Sequence, residues 1–121
     1  MWAEWMPQAE IIGVDISPLE VVSDERILTI VSDIKNFAPE GKYDVVIDDG
    51  SHVAEDIAAA HALLWPHVKP GGWHIVEDLN VQAPDSIALY LVEAALRNLW
   101  HEQGDVSEVH CYDQIVFLRK R

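Results

Sequence analysis

The sequence predicts an α/β three-layer sandwich, a mostly parallel sheet between helices that finishes in a C-terminal antiparallel hairpin. Three observations carry that reading. Four short runs are apolar on both faces, as strands of a buried parallel sheet are. Two stretches of helical period supply the crossovers and covering layers that such a sheet needs. The last two strand-like runs are separated only by Tyr112-Asp113, a connection so short that the strands must run antiparallel.

The elements follow in order. Ile11, Ile12, Val14 and Ile16 form a first run, closed by Ser17-Pro18. Ile27 to Val31 form a second, closed by Ser32-Asp33, and Val45 to Ile47 a third, closed by Asp48-Asp49-Gly50. Trp73 to Val76 form a fourth, opened by Gly71-Gly72 and closed by Glu77-Asp78. A helix is predicted over Val53–Leu64, with Ile57, Ala60, Leu63 and Leu64 on one face and a stop at Trp65-Pro66. A second is predicted over Asp85–Trp100, with Asp85 or Ser86 as its N-cap and Ile87, Tyr90, Leu91, Ala94, Ala95 and Leu99 at helical spacing. Val106–Cys111 and Gln114–Leu118 make the hairpin. The five tryptophans follow no regular spacing and read as fillers of the core or of an interface. A chain of 121 residues suits one domain, residues 1–121.

Composition narrows the function. Eight Lys and Arg stand against 21 Asp and Glu, a formal charge of −13. Such a chain repels phosphate backbones and anionic lipid, so neither nucleic acid nor a membrane is an expected partner. Arg119-Lys120-Arg121 reads as a short solvated tail. The lone Cys111 excludes an internal disulfide and suits a reducing compartment. With no leader-like start and no membrane-length apolar run, the expectation is a cytoplasmic protein.

In an open α/β sheet, ligands bind beyond the carboxyl ends of the strands. The four runs end in Asp15, Asp33, Asp48-Asp49 and Glu77-Asp78, so six carboxylates are expected along one rim. Each one alone reads equally as a loop residue or a helix cap. Crowded together, they require solvation, partial protonation or a cation. Asp49, Glu77 and Asp78, from two neighbouring strand ends, suit a hard octahedral ion such as Mg²⁺; zinc prefers His and Cys. His52, on the turn into the first long helix, is either a general base beside that ion or a helix-capping residue. Asp15 is placed to hold ribose hydroxyls, with Asp33 near an adenine. His61, His67 and His74 read as structural, and His110 stays open between the two roles. Gly71-Gly72 leads into a strand, not a helix, so it is no phosphate loop.

Taken in order, Ile12-Gly-Val-Asp-Ile16, Asp48-Asp-Gly-Ser-His52, Leu64-Trp-Pro-His-Val-Lys-Pro-Gly-Gly72, Val76-Glu-Asp-Leu79 and His110-Cys-Tyr-Asp113 resemble the class I S-adenosylmethionine-dependent methyltransferases. The branch they resemble most is the metal-dependent sugar O-methyltransferases of the macrocin and mycinamicin type. Met1-Trp-Ala-Glu-Trp-Met-Pro7 is similar to the end of that family's first helix. The resemblance implies a Rossmann-like sandwich with S-adenosylmethionine and Mg²⁺ as cofactors and a small-molecule hydroxyl, of a sugar or natural product, as substrate. It implies Mg²⁺ ligation by Asp49, Glu77 and Asp78 and proton removal by His52. Cofactor contacts fall to Asp15 at the ribose, to Asp33 near the adenine, and to Asp48.

The family's first strand and its glycine-rich turn have no counterpart here, and no Gly-x-Gly pattern occurs in the chain. The expected fold is therefore N-terminally truncated. Its uncovered strand edges predict a homo-oligomer, with exchange of strands between subunits as one form. The alternative function is a non-catalytic binding or assembly module that keeps the scaffold without the cofactor. A phosphoacceptor receiver domain is excluded, because that fold needs an acidic pair after its first strand and a lysine after its fifth.

Overall fold

The computed structural model describes residues 2–18, 24–79, 87–101 and 104–121, with side chains from 90 onward in the helix that begins at 87. The chain divides into two compact units, Met1–Ala38 and Pro39–Arg121.

The first unit holds a four-residue helix α1 (Trp2–Trp5) and two parallel strands, β1 (Ile11–Asp15) and β2 (Ile27–Val31). Their register runs from Ile11 opposite Ile27 to Asp15 opposite Val31. Arg26 joins helix to strand. Its guanidinium donates to the Ala3 and Met6 carbonyls at 3.2–3.3 Å, satisfying groups that a helix end leaves open, while Asp24 receives its other N–H groups. A 3₁₀ turn, Ile34–Asn36, follows, capped by the Asp33 carboxylate accepting from the Lys35 N–H at 2.9 Å.

The second unit is a four-stranded sheet in the order β3-β4-β6-β5, with two helices. β3 spans Tyr43–Asp48, α2 Ala54–Leu64, β4 Val68–Val76, α3 Ile87–Trp100, β5 Val106–Tyr112 and β6 Ile115–Lys120. β3 and β4 are parallel; β6 runs antiparallel to both β4 and β5. The Asp113-Gln114 turn makes the hairpin, with Gln114 at φ 63°. The mostly parallel sheet of the sequence reading is thus corrected: two strand pairs are parallel and two antiparallel, because the last strand inserts between β4 and β5. β4 is also longer than expected. It absorbs Gly71-Gly72, and a bulge sets Tyr43–Val45 against Val68–Trp73. At Gly72 a Cβ would lie 2.7 Å from the Asp44 carbonyl oxygen, so only glycine fits.

Alternation divides the sheet into two faces. Val76, Val116 and Leu118 point to the face covered by α2, through Ile57, and α3, through Leu91 and Ala95; Leu79 completes this core. Trp73, Ile75, Phe117 and Arg119 occupy the other face, as their pairing requires. Both long helices therefore lie on one side. Among the described residues this unit has two layers. The predicted helix faces hold at Ile57, Ala60, Leu64, Leu91 and Ala95, whereas Tyr90 is exposed. Trp65 and Trp73 are half-buried, while Trp2, Trp5 and Trp100 are exposed and fill no core. The N-cap candidates Asp85 and Ser86 lie outside the described residues.

His74, fully buried on the helix-covered face, meets His61 of α2 through Nδ1 atoms 2.9 Å apart, with the rings stacked. The structural reading of both histidines holds. Burial, and then the neighbouring His61, push the His74 imidazole down to about 3. Its folded value lies below its unfolded one, so its stabilisation is complete above pH 6.5 and is lost as pH falls towards 3. Between pH 7.5 and 5 the loss is about 2 kcal/mol. Thermal midpoints measured across that range should fall with acidification, and His74→Phe should flatten the slope.

Candidate metal and acid–base site

The site is built where β3 and β4 end side by side. Their parallel register brings Asp48 opposite Val76 and continues one step further, with the Glu77 N–H donating to the Asp48 carbonyl at 2.9 Å. Residues leaving the two strands therefore emerge together. Leu79 then donates its N–H to the Gln114 carbonyl at 2.9 Å, tying the segment after β4 to the hairpin turn.

Two backbone turns aim the side chains. His52 sits at φ 58° and Asp78 at φ 52°, left-handed conformations that Asp and His tolerate better than most residues. The turn into α2 is braced by the Ser51 hydroxyl, which donates to the Asp56 carboxylate at 2.7 Å. The result is a group of three exposed side chains, Asp49, His52 and Asp78, whose candidate ligand atoms all lie within 4.8 Å of one another. The imidazole stands between the carboxylates, with Nε2 3.5 Å from Asp49 Oδ1 and Nδ1 3.9 Å from Asp78 Oδ2. Two carboxylates and an imidazole suit a divalent cation.

The residues singled out in the sequence divide as follows. Asp49, Asp78 and His52 are brought together. Glu77 is half-buried, and the group does not include it. The imidazole stands in the cluster where a third carboxylate was expected. Asp48 lies behind them at the end of β3. Burial raises its carboxyl above the usual range, against the lowering effect of a backbone hydrogen bond from Gly50. Asp48 Oδ2 is buried and has no hydrogen-bond partner. Asp15 and Asp33 lie in the first unit, at the end of β1 and just beyond β2, where both accept local backbone bonds: Asp15 from Ser17 at 2.7 Å and Asp33 from Lys35. Sequence reasoning missed the Ser51–Asp56 brace. A Ser five residues before an Asp at a helix start was the available signal.

This arrangement belongs to a recognisable class: the fold is that of part of a methyltransferase. The structure superposes on the MycE methyltransferase of the mycinamycin biosynthetic pathway, solved in complex with Mg, SAH and mycinamycin VI, with a TM-score of 0.84 and 28% identity. The match covers 98% of this chain and 38% of that one. A second crystal form of MycE with Mg and SAH gives a TM-score of 0.82 at 26% identity.

In sequence, the chain is 38% identical to the mycinamicin VI 2''-O-methyltransferase of Micromonospora griseorubida and 28% identical to the demethylmacrocin O-methyltransferase of Streptomyces fradiae. Each aligned span of 152 residues covers 99% of this chain. The chain resembles the macrocin- and mycinamicin-type sugar O-methyltransferases along nearly its whole length, and it spans 38% of the length of these two relatives. No family model matches.

The left-handed turns make a stability test possible. Glycine adopts these φ values without the Cβ penalty, so Asp78→Gly should raise stability by about 1 kcal/mol while deleting one of the converging carboxylates. Denaturant titration of the variant should show the higher midpoint.

Proposed function

We propose that the chain is the S-adenosylmethionine- and Mg²⁺-dependent part of an O-methyltransferase acting on a hydroxyl of a small molecule, a sugar or a natural product. The convergence of Asp49, His52 and Asp78 at the ends of β3 and β4 carries the proposal. Similarity to enzymes named for sugar O-methylation, and to a structure that holds Mg and SAH, supports it.

In this reading Asp49 and Asp78 hold the ion, with Glu77 of the same strand end as the further carboxylate. Bound there, Mg²⁺ supplies a Lewis acid that lowers the pKa of an acceptor hydroxyl. His52, which lies beside both carboxylates, takes the hydroxyl proton on a ring nitrogen. The deprotonated oxygen attacks the methyl carbon of the sulfonium in line, and the thioether leaves with the electron pair. Holding donor and acceptor in that alignment is the protein's main contribution to rate. Asp15 binds the ribose hydroxyls, Asp33 lies by the adenine, and Asp48 contributes to the cofactor side. The compartment in this reading is the cytoplasm, where the lone Cys111 stays reduced. Among the described residues no helix is long and apolar enough to cross a membrane.

The alternative is a binding or assembly module without catalysis. Titration calorimetry distinguishes the two. The enzyme reading expects Mg²⁺ binding that Asp49→Asn or Asp78→Asn weakens about tenfold or more, and S-adenosylmethionine binding that Mg²⁺ leaves intact or strengthens. Absence of heat with S-adenosylmethionine at millimolar concentration, with and without Mg²⁺, overturns it.

The same reading makes the protein a homo-oligomer. β1 pairs only with β2, and β3 only with β4, so each sheet has a strand edge without a strand partner among the described residues. Val45 on β3 is exposed. Edges of this kind recruit further strands, and a lysine blocks them. Light scattering should show an assembly that Val45→Lys reduces; a monomer at all concentrations refutes the assembly.

A further inference from the structure

The group at the ends of β3 and β4 holds two carboxylates and one imidazole, with Glu77 outside it. That membership alters which cation the group prefers. Mg²⁺ is a hard ion that takes oxygen ligands in an octahedron, whereas zinc favours imidazole nitrogen and accepts carboxylates beside it. Three protein ligands also leave zinc a fourth position for water or a substrate oxygen.

The spacing points the same way. Donor atoms about 2.1 Å from a tetrahedral ion stand about 3.4 Å from one another. Neighbouring donors around octahedral Mg²⁺ stand only about 3.0 Å apart. His52 Nε2 and Asp49 Oδ1 are 3.5 Å apart, and the candidate ligand atoms of all three residues lie within 4.8 Å of one another. All three side chains are exposed, so an ion enters from solvent and surface side chains close the remaining gap.

We propose that Asp49, His52 and Asp78 form an inhibitory site for a zinc-class cation. Zinc and Mg²⁺ share Asp49 and Asp78, so one excludes the other. A neutral imidazole has a single free nitrogen lone pair. Zinc occupies it, and His52 can then take no proton from a hydroxyl; Mg²⁺ on oxygen ligands leaves it free. The inhibition rests on the proposed methyl-transfer reading, whereas the binding does not.

Titration calorimetry of the full chain with ZnCl₂ and MgCl₂, alone and in competition, tests it. Asn removes the imidazole and tolerates the left-handed turn at residue 52, and circular dichroism confirms that His52→Asn is folded. Zinc should bind more tightly than Mg²⁺. His52→Asn should weaken zinc about tenfold or more and leave Mg²⁺ binding unchanged. Asp49→Asn should weaken both ions, and bound zinc should abolish the heat of Mg²⁺. His110→Ala, which breaks the exposed His110–Glu108 pair at 3.2 Å, should leave zinc binding as it was. With Co²⁺ in place of zinc, paramagnetically shifted imidazole proton resonances should appear and be missing in His52→Asn. Zinc that binds no more tightly than Mg²⁺, or that His52→Asn leaves unchanged, overturns the proposal. Equal loss for both ions overturns it too, as does Mg²⁺ that binds alongside zinc. Zinc held through His52 by a chain that binds no Mg²⁺ upholds the zinc site and overturns the Mg²⁺ reading instead.

Discussion

The parallel register of β3 on β4 is the constraint on which the rest of the second unit depends. It sets Asp48 opposite Val76 and continues through the Glu77–Asp48 backbone bond, so that Asp49 and Asp78 leave the sheet at the same level. Side chains alternate along a strand, and a slip of one residue would turn Val76 out of the core and swing the outgoing segments apart. Burial of Val76 in one apolar cluster with Ile57, Leu91 and Leu118 holds that register, since a one-residue slip would turn it out of that cluster. Packing and site geometry are therefore two results of one pairing.

Much of this was legible in the residues. Continuous β-branched runs marked β1 to β4, and the acidic residues closing them marked the strand ends where ligands bind. The spacing of Ile57, Ala60 and Leu64 marked the buried face of α2. Other features were not legible, for physical reasons. Apolar run length says nothing of where a terminal hairpin inserts, and β6 rather than β5 lies beside β4. Pro70-Gly71-Gly72 has the composition of a turn, and only the tertiary pairing shows it to be a bulge inside a strand. At the site, the types of residue pointed to a cation but not to the grouping. Glu77 and Asp78 are adjacent in sequence, and the left-handed turn at Asp78, which no local pattern announces, is what carries one towards His52 and not the other.

Charge and burial are distributed in opposite senses across this unit. The cluster of Asp49, His52 and Asp78 is exposed, and water can solvate its members. Behind it Asp48 is withdrawn from water with one oxygen unpartnered, and deeper still His74 is neutral within the core. The ionisable groups thus range from solvated at the rim to buried in the core. A strongly acidic chain tolerates that arrangement because most of its carboxylates stay at the surface, where the dielectric is high.

The bulge in β4 separates two jobs within a single strand. Upstream of it, Val68 anchors the base of the sheet; downstream, Trp73 to Val76 set the alignment that reaches the carboxylates. Between them the chain leaves the ladder, with Gly71 exposed at φ 78°. Length can therefore vary at this joint without being passed on to the far end. In descendants of this scaffold, insertions should accumulate between Lys69 and Gly71, while the four residues that follow keep their spacing from the rim.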